Sequence, residues 1–134
     1  PLFTKRCEVK LSGERLEKRK QHWQQIAISA CEQSGRCVVP EVTQPCSLDD
    51  WYKHIGGKGF VCDTEASPNW PSEKEVASSI SLLIGPEGGL AEEEISQAVS
   101  NGFSKISLGP RVLRTETAPV VALTLLQSRY GDIG

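Results

Sequence analysis

Methionine is absent from this 134-residue sequence, aromatic residues make up only 6% of it, and no two of its cysteines stand in a C-x-x-C pair. The missing methionine leaves a chain that opens on Pro1-Leu2-Phe3 with no initiator, which sets the expectation of a segment from a longer protein. Five cysteines, an odd number without metal-ligand spacing, argue against zinc or dithiol chemistry and for reduced thiols in a cytosolic protein. No apolar run approaches the roughly 18 residues a membrane helix needs, and the first 22 residues are charged where a secretory signal is apolar, so a soluble, cytoplasmic protein is expected. Neither G-x-G-x-x-G nor G-x-x-x-x-G-K-[ST] occurs, which lowers the case for dinucleotides and nucleoside triphosphates. His22 and His54 fall on expected helices without a partner of ligand type, and no metal is expected. Internal repeats and low-complexity tracts are also lacking, and the length suits one domain with one core.

What charge there is lies unevenly. Residues 1–22 carry Lys5, Arg6, Lys10, Arg15, Lys18, Arg19 and Lys20 against Glu8, Glu14 and Glu17, whereas residues 72–95 carry Lys74 against Glu73, Glu75, Glu87, Glu92, Glu93 and Glu94. A basic end permits a polyanion partner such as RNA, because binding follows the local patch more than the net charge of -2. The plainer alternative is a solvated helix face.

Hydrophobic spacing outlines the elements. Leu16, Trp23, Ile26, Ala27, Ala30 and Cys31 form an apolar stripe at helical period over residues 14–34, with Ser12 to cap its start and Gly35 to end it. Cys37-Val38-Val39 reads as a short buried strand stopped by Pro40. Ser47-Leu48-Asp49-Asp50 begins a short helix that Gly56-Gly57 ends, Phe60-Val61-Cys62 is a strand, and residues 67–72 are loop. Ser79 to Ile84 is a strand, Ala91 to Ser100 a helix with three glutamates in its first turn, and Phe103 to Leu108 another strand. Thr117 can cap a last helix with Pro119 in its first turn; Val120 to Leu126 is apolar almost all round and calls for burial on several sides. Strands alternating with helices imply an α/β fold with a parallel sheet and a ligand site at the carboxyl ends of its strands.

Two of those strand ends are rich in glycine: Ile84-Gly85-Pro86-Glu87-Gly88-Gly89 and Leu108-Gly109-Pro110-Arg111-Val112-Leu113-Arg114-Thr115-Glu116-Thr117. Such turns usually cradle phosphate, but Glu87 lies within the first, and Glu92, Glu93 and Glu94 occupy the positive end of the following helix. A ligand without phosphate, held by backbone groups, fits better; tight turns with no ligand are the competing reading.

IGPEGG at 84–89 followed by EEEI at 92–95, then LGPRVLRTET at 108–117, resembles the RsmE family of the SPOUT superfamily, and the similarity extends to residues 14–36 and to RYGDIG at 129–134. The family often shows a His-Pro pair after the third strand, where this chain has Asp63-Thr64-Glu65. The resemblance implies a five- or six-stranded parallel sheet with a deep trefoil knot at its carboxyl end, formed by the two glycine-rich loops. It further implies S-adenosylmethionine as cofactor, a homodimer, and methylation of uridine N3 in 16S ribosomal RNA or the small ribosomal subunit. On the same basis an N-terminal β-barrel RNA-binding domain, the first helix and most of the first strand of the methyltransferase domain fall outside this sequence, and Pro1 to Thr4 is the tail of that strand. The alternatives are a SPOUT methyltransferase acting on another RNA atom, such as a ribose hydroxyl, and a non-enzymatic ligand-binding or dimerisation module.

The expected cofactor contacts are Ile84, Gly85, Pro86, Glu87, Gly88, Gly89, Leu108, Gly109, Leu113 and Arg114. For catalysis Arg114 is the first choice, to meet charge developing on the uridine carbonyls, with Arg111 and Arg36 as substitutes. Glu116 is either a base or the partner that holds Arg114. Arg111 and Arg114 are expected in a partly enclosed loop, and Trp23 in the core or a dimer interface; Trp51 and Trp70 are left undecided.

Overall fold

A computed structural model describes residues 1–7, 12–67, 70 and 78–133. Most of the loop expected at 67–72 lies outside them, as do Glu8, Lys10, Glu73, Lys74 and Glu75 of the charge pattern. In chain order the elements are β1 (Leu2–Phe3), α1 (Gly13–Ser34), β2 (Cys46–Ser47), α2 (Leu48–Tyr52), β3 (Lys58–Cys62), β4 (Ile80–Leu83), α3 (Glu92–Ser100), β5 (Phe103–Ile106) and α4 (Thr117–Tyr130). All strand pairs among the described residues are parallel, as expected of an α/β fold. They do not form one sheet of five or six strands among the described residues: β4, β3 and β5 make a three-stranded sheet with β3 in the middle, and β1 pairs only with β2. The small pair has two residues a side, Leu2 against Cys46 and Phe3 against Ser47, and the chain turns into α2 at Leu48 directly after it.

Strand β3 is buried on both faces, and pleating sends its side chains into two cores. Val61 packs with Leu48, Leu83, Leu90, Ala98 and Phe103, joined by Trp51 and Tyr52. Phe60 packs with Ile106 and Leu126, joined by Trp70 and Tyr130. The two undecided tryptophans therefore have structural work: Trp51 lies 5.6 Å from the Phe103 ring, and Trp70 lies 6.0 Å from Phe60 while its Nε1 donates to the Ser107 carbonyl at 3.1 Å.

Several local expectations need correction. Cys37-Val38-Val39 is not a buried strand; it is exposed and without regular structure, Val38 at 71%. The reason is local: the Val38 carbonyl is occupied by Arg36 Nε and approached by the Cys31 thiol, which folds the segment back on the end of α1. Helix α2 is capped by Ser47 as read, its hydroxyl accepting from Asp50 N, but ends at Tyr52, before the glycines. Helix α4 begins at Thr117 itself with Glu116 as the flanking residue, so Thr117 is not its cap. Nor is α4 covered on several sides within this chain: Ala118, Ala122 and Leu126 are buried, but Val120 is 65% and Leu123 52% exposed. On α1 only Cys31 is buried, Trp23 is half-buried and Ile26 is 54% exposed.

Candidate functional site

The carboxyl ends of β3, β4 and β5 open into one cleft of about 560 Å³, within the roughly 300–1,000 Å³ usual for small-molecule sites. The three strands run in parallel and in register, so the loops that follow them leave on the same edge.

From β4 the chain passes through Ile84 and Gly85 into a turn at 86–89 that Gly89 N closes on the Pro86 carbonyl at 2.8 Å. Gly85 is required by close approach: a β-carbon there would stand 2.7 Å from Leu90 N. At the start of α3, Glu94 is buried, and its two oxygens accept from Ala91 N at 2.8 Å and Lys5 N at 2.7 Å. The helix end is thus satisfied by a carboxylate of the chain itself, which disfavours a phosphate there.

From β5 the chain passes through Ser107, whose hydroxyl lies 3.3 Å from both the N–H and the carbonyl of Gly109. Gly109 has φ +109° and nothing within 4 Å of where a β-carbon would be, so it keeps the main chain open to the cleft in a conformation other residues avoid. From β3 come Cys62 and Asp63. Burial pushes the Cys62 thiol up to about 11, which removes it as a nucleophile near neutral pH. Asp63 is buried, takes the Glu65 N–H at 3.0 Å on one oxygen, and pairs with Lys105 at 3.0 Å on the other.

Nine of the ten expected cofactor contacts, Ile84 to Gly89 with Leu108, Gly109 and Leu113, line this cleft, and so does Arg111. Arg114 and Glu116 do not. Their side chains are 87% and 72% exposed and meet only at 4.0 Å, a pairing worth little in water. The loop between β5 and α4 is accordingly less enclosed in this chain than expected, with Val112 83% exposed. Arg36 lies at the far end of α1, engaged with Val38, and is not among the residues lining the cleft.

Asp63, Thr64 and Glu65, which stand where the family often shows His-Pro, line the cleft, and so do Arg6 and Lys105, which reading by sequence does not place there. Arg6 belongs to the basic patch of residues 1–22, where no local pattern marks it for a site. Lys105 carries a usable signal, the one charged residue of β5, Phe103-Ser104-Lys105-Ile106. The four lining carboxylates Asp63, Glu65, Glu87 and Glu92 face the three cations Arg6, Lys105 and Arg111, and Lys105 is already paired with Asp63. The remaining balance suits a cationic ligand better than an anionic one.

Residues 1–127 match the profile of the RNA methyltransferase domain family. Ribosomal RNA small subunit methyltransferase E of Buchnera aphidicola subsp. Schizaphis graminum is 38% identical over 99% of this chain and 55% of its own length. The protein of that name from Synechocystis is 36% identical over 96% of this chain and 43% of its own. In the solved structures, ribosomal RNA small subunit methyltransferase E of Neisseria gonorrhoeae, bound to S-adenosyl methionine, superposes with a TM-score of 0.85 at 38% identity, covering 96% of this chain and 54% of that one. The chain spans about half the length of these relatives.

Proposed function

The chain belongs to the RNA methyltransferase domain family, and from that premise we propose that it forms the cofactor-binding and catalytic part of an S-adenosylmethionine-dependent methyltransferase acting on small-subunit ribosomal RNA, at uridine N3. The observation that carries this reading is the convergence of the two glycine-rich loops on one open cleft whose carboxylates outnumber its cations. The residues fit the cofactor: Gly85 and Gly109 expose main chain, Leu108 and Leu113 give apolar wall, and Glu87 favours positive charge. When bound, S-adenosylmethionine supplies an activated methyl group on a cationic sulfur.

The chain's own residues deal with the acceptor. Uridine N3 must lose its proton, to solvent through the open cleft, to become a nucleophile, and the resulting negative charge spreads onto the flanking carbonyl oxygens. Arg111, the arginine of the 108–117 loop that lines the cleft, is assigned to meet that charge through its planar fork. Glu116 is largely exposed and does not line the cleft, so it is not placed to take that proton. In this reading the loops at 84–89 and 108–117 are the two parts of a trefoil knot; an experimental backbone trace showing them unthreaded would remove the knot.

Calorimetry on the intact protein should show binding of S-adenosylmethionine and S-adenosylhomocysteine and not of ATP or NAD, and small ribosomal subunits should acquire a methyl group that maps to a uridine base. Preference for ATP or NAD would refute the cofactor; ligand retention without methyl transfer would leave a binding module; a ribose methyl would move the target atom.

The same reading makes the protein a homodimer. Val120 and Leu123 on α4 and Ile26 on α1 leave apolar surface that this chain does not cover, and a second copy is the simplest cover for it. Light scattering at micromolar concentration should give twice the protomer mass, and a monomer there would count decisively against it.

A further inference from the structure

We infer that Lys5 and Arg6 form a latch that holds the glycine-rich turn at 86–89 in its binding conformation, with Arg6 a positioning residue for the cofactor. The inference rests on the cofactor reading of the cleft and goes beyond it, since it assigns a role to a segment more than 80 residues away in the chain.

Cys7 N bonds the Thr4 carbonyl at 3.2 Å, closing a turn that places Lys5 and Arg6 at its tip, directly after β1. From that tip three contacts reach across. Lys5 N donates to Glu94 Oε1 at 2.7 Å, and Lys5 Nζ lies 3.4 Å from Glu93 Oε2, which fixes the tip on the first turn of α3. Arg6 Nη1 donates to the Gly88 carbonyl at 2.8 Å. The aliphatic part of Arg6 lies close over Gly88, where a β-carbon would come within 3.3 Å of Arg6 Cβ.

The consequence follows from the geometry of one peptide unit. The Gly88–Gly89 peptide is planar, its carbonyl is held by Arg6, and its N–H is held by the Pro86 carbonyl at 2.8 Å. Both ends are pinned, so the plane cannot rotate. Two adjacent glycines otherwise give the turn more conformational freedom than any other pair, and a ligand would have to remove it on binding. Arg6 removes part of it beforehand. Because Arg6 is exposed and takes no part in either core, its loss should weaken binding without weakening the fold.

The test compares wild type, Arg6→Ala and Arg6→Lys in the intact protein, by calorimetry with S-adenosylhomocysteine, by thermal unfolding of the unliganded protein, and by amide exchange of residues 84–92 without ligand. Arg6→Ala should bind about tenfold more weakly, as expected for a lost hydrogen bond from a charged donor, and exchange faster at 84–92, with its unfolding temperature within about 2 °C of wild type. Arg6→Lys, which keeps one cationic donor for one carbonyl, should recover affinity to within about threefold. Affinity of Arg6→Ala within twofold of wild type, or unchanged exchange, overturns the latch, as does a general loss of stability that accounts for the weaker binding. If wild type binds no S-adenosylhomocysteine, the cofactor reading falls, and the exchange measurement alone decides whether Arg6 holds the turn.

Discussion

Arg111→Ala is expected to lower methyl transfer on the order of 100- to 1000-fold, the usual loss when one donor to a developing oxyanion is removed. Affinity for S-adenosylhomocysteine should stay within a few-fold, because the cofactor reading relies on main-chain groups of the two glycine-rich loops. Arg111→Lys should fall between the two, keeping the charge and losing the planar fork. Arg114→Ala supplies the comparison. Its side chain is 87% exposed and outside the cleft lining, so its loss should cost less than about tenfold. A loss from Arg114→Ala as large as that from Arg111→Ala would mean that the group is delivered to the cleft of a second copy. Turnover of Arg111→Ala within a few-fold of wild type, at saturating cofactor and RNA, would refute its assignment.

The largest effect on stability is expected at Phe60. Its side chain has no exposed surface and packs against Ile106, Leu126 and the rings of Trp70 and Tyr130, at 6.0 and 6.1 Å. Phe60→Ala should cost about 3–5 kcal/mol, lost transfer energy plus a cavity that a central strand cannot close. Against a total of roughly 5–15 kcal/mol this leaves a marginal protein. Urea unfolding should show a lower midpoint at nearly unchanged slope. Val112→Ala, 83% exposed, should stay within about 0.5 kcal/mol. A cost below about 1 kcal/mol for Phe60→Ala would contradict the two-core description.

Both outcomes bear on what the sequence made legible. Strand β3 could be read from Phe60-Val61-Cys62, and α3 from its glutamates and the glycine after it, because period and capping are local properties. The cleft was legible for a related reason: parallel strands send their following loops to one edge, so two glycine-rich strand ends had to meet. Side-chain direction was not. Arg111 and Arg114 are three residues apart in the same loop, and only the path of the backbone decides which lines the cleft. Likewise Val38 and Val39 have strand propensity, but no strand among the described residues pairs with them, and the end of α1 claims the Val38 carbonyl. Lys5 and Arg6 depended on contacts with Glu93, Glu94 and Gly88 that no local pattern encodes.

The registers of the central sheet also govern when the cleft can come into being. Lys58 pairs with Ile80, 22 positions later, and Gly59 with Phe103, 44 positions later. Such pairings pay their loop-closure entropy before any contact rewards it, and topologies built from them fold slowly. During synthesis β3 emerges well before either neighbour and must wait with Phe60 and Val61 uncovered. No part of the cleft wall contributed by Leu108 to Ala118 exists until most of the chain has been made. Ligand binding therefore reports only chains that have finished folding, and the cofactor can trap the final state but cannot guide the early steps toward it.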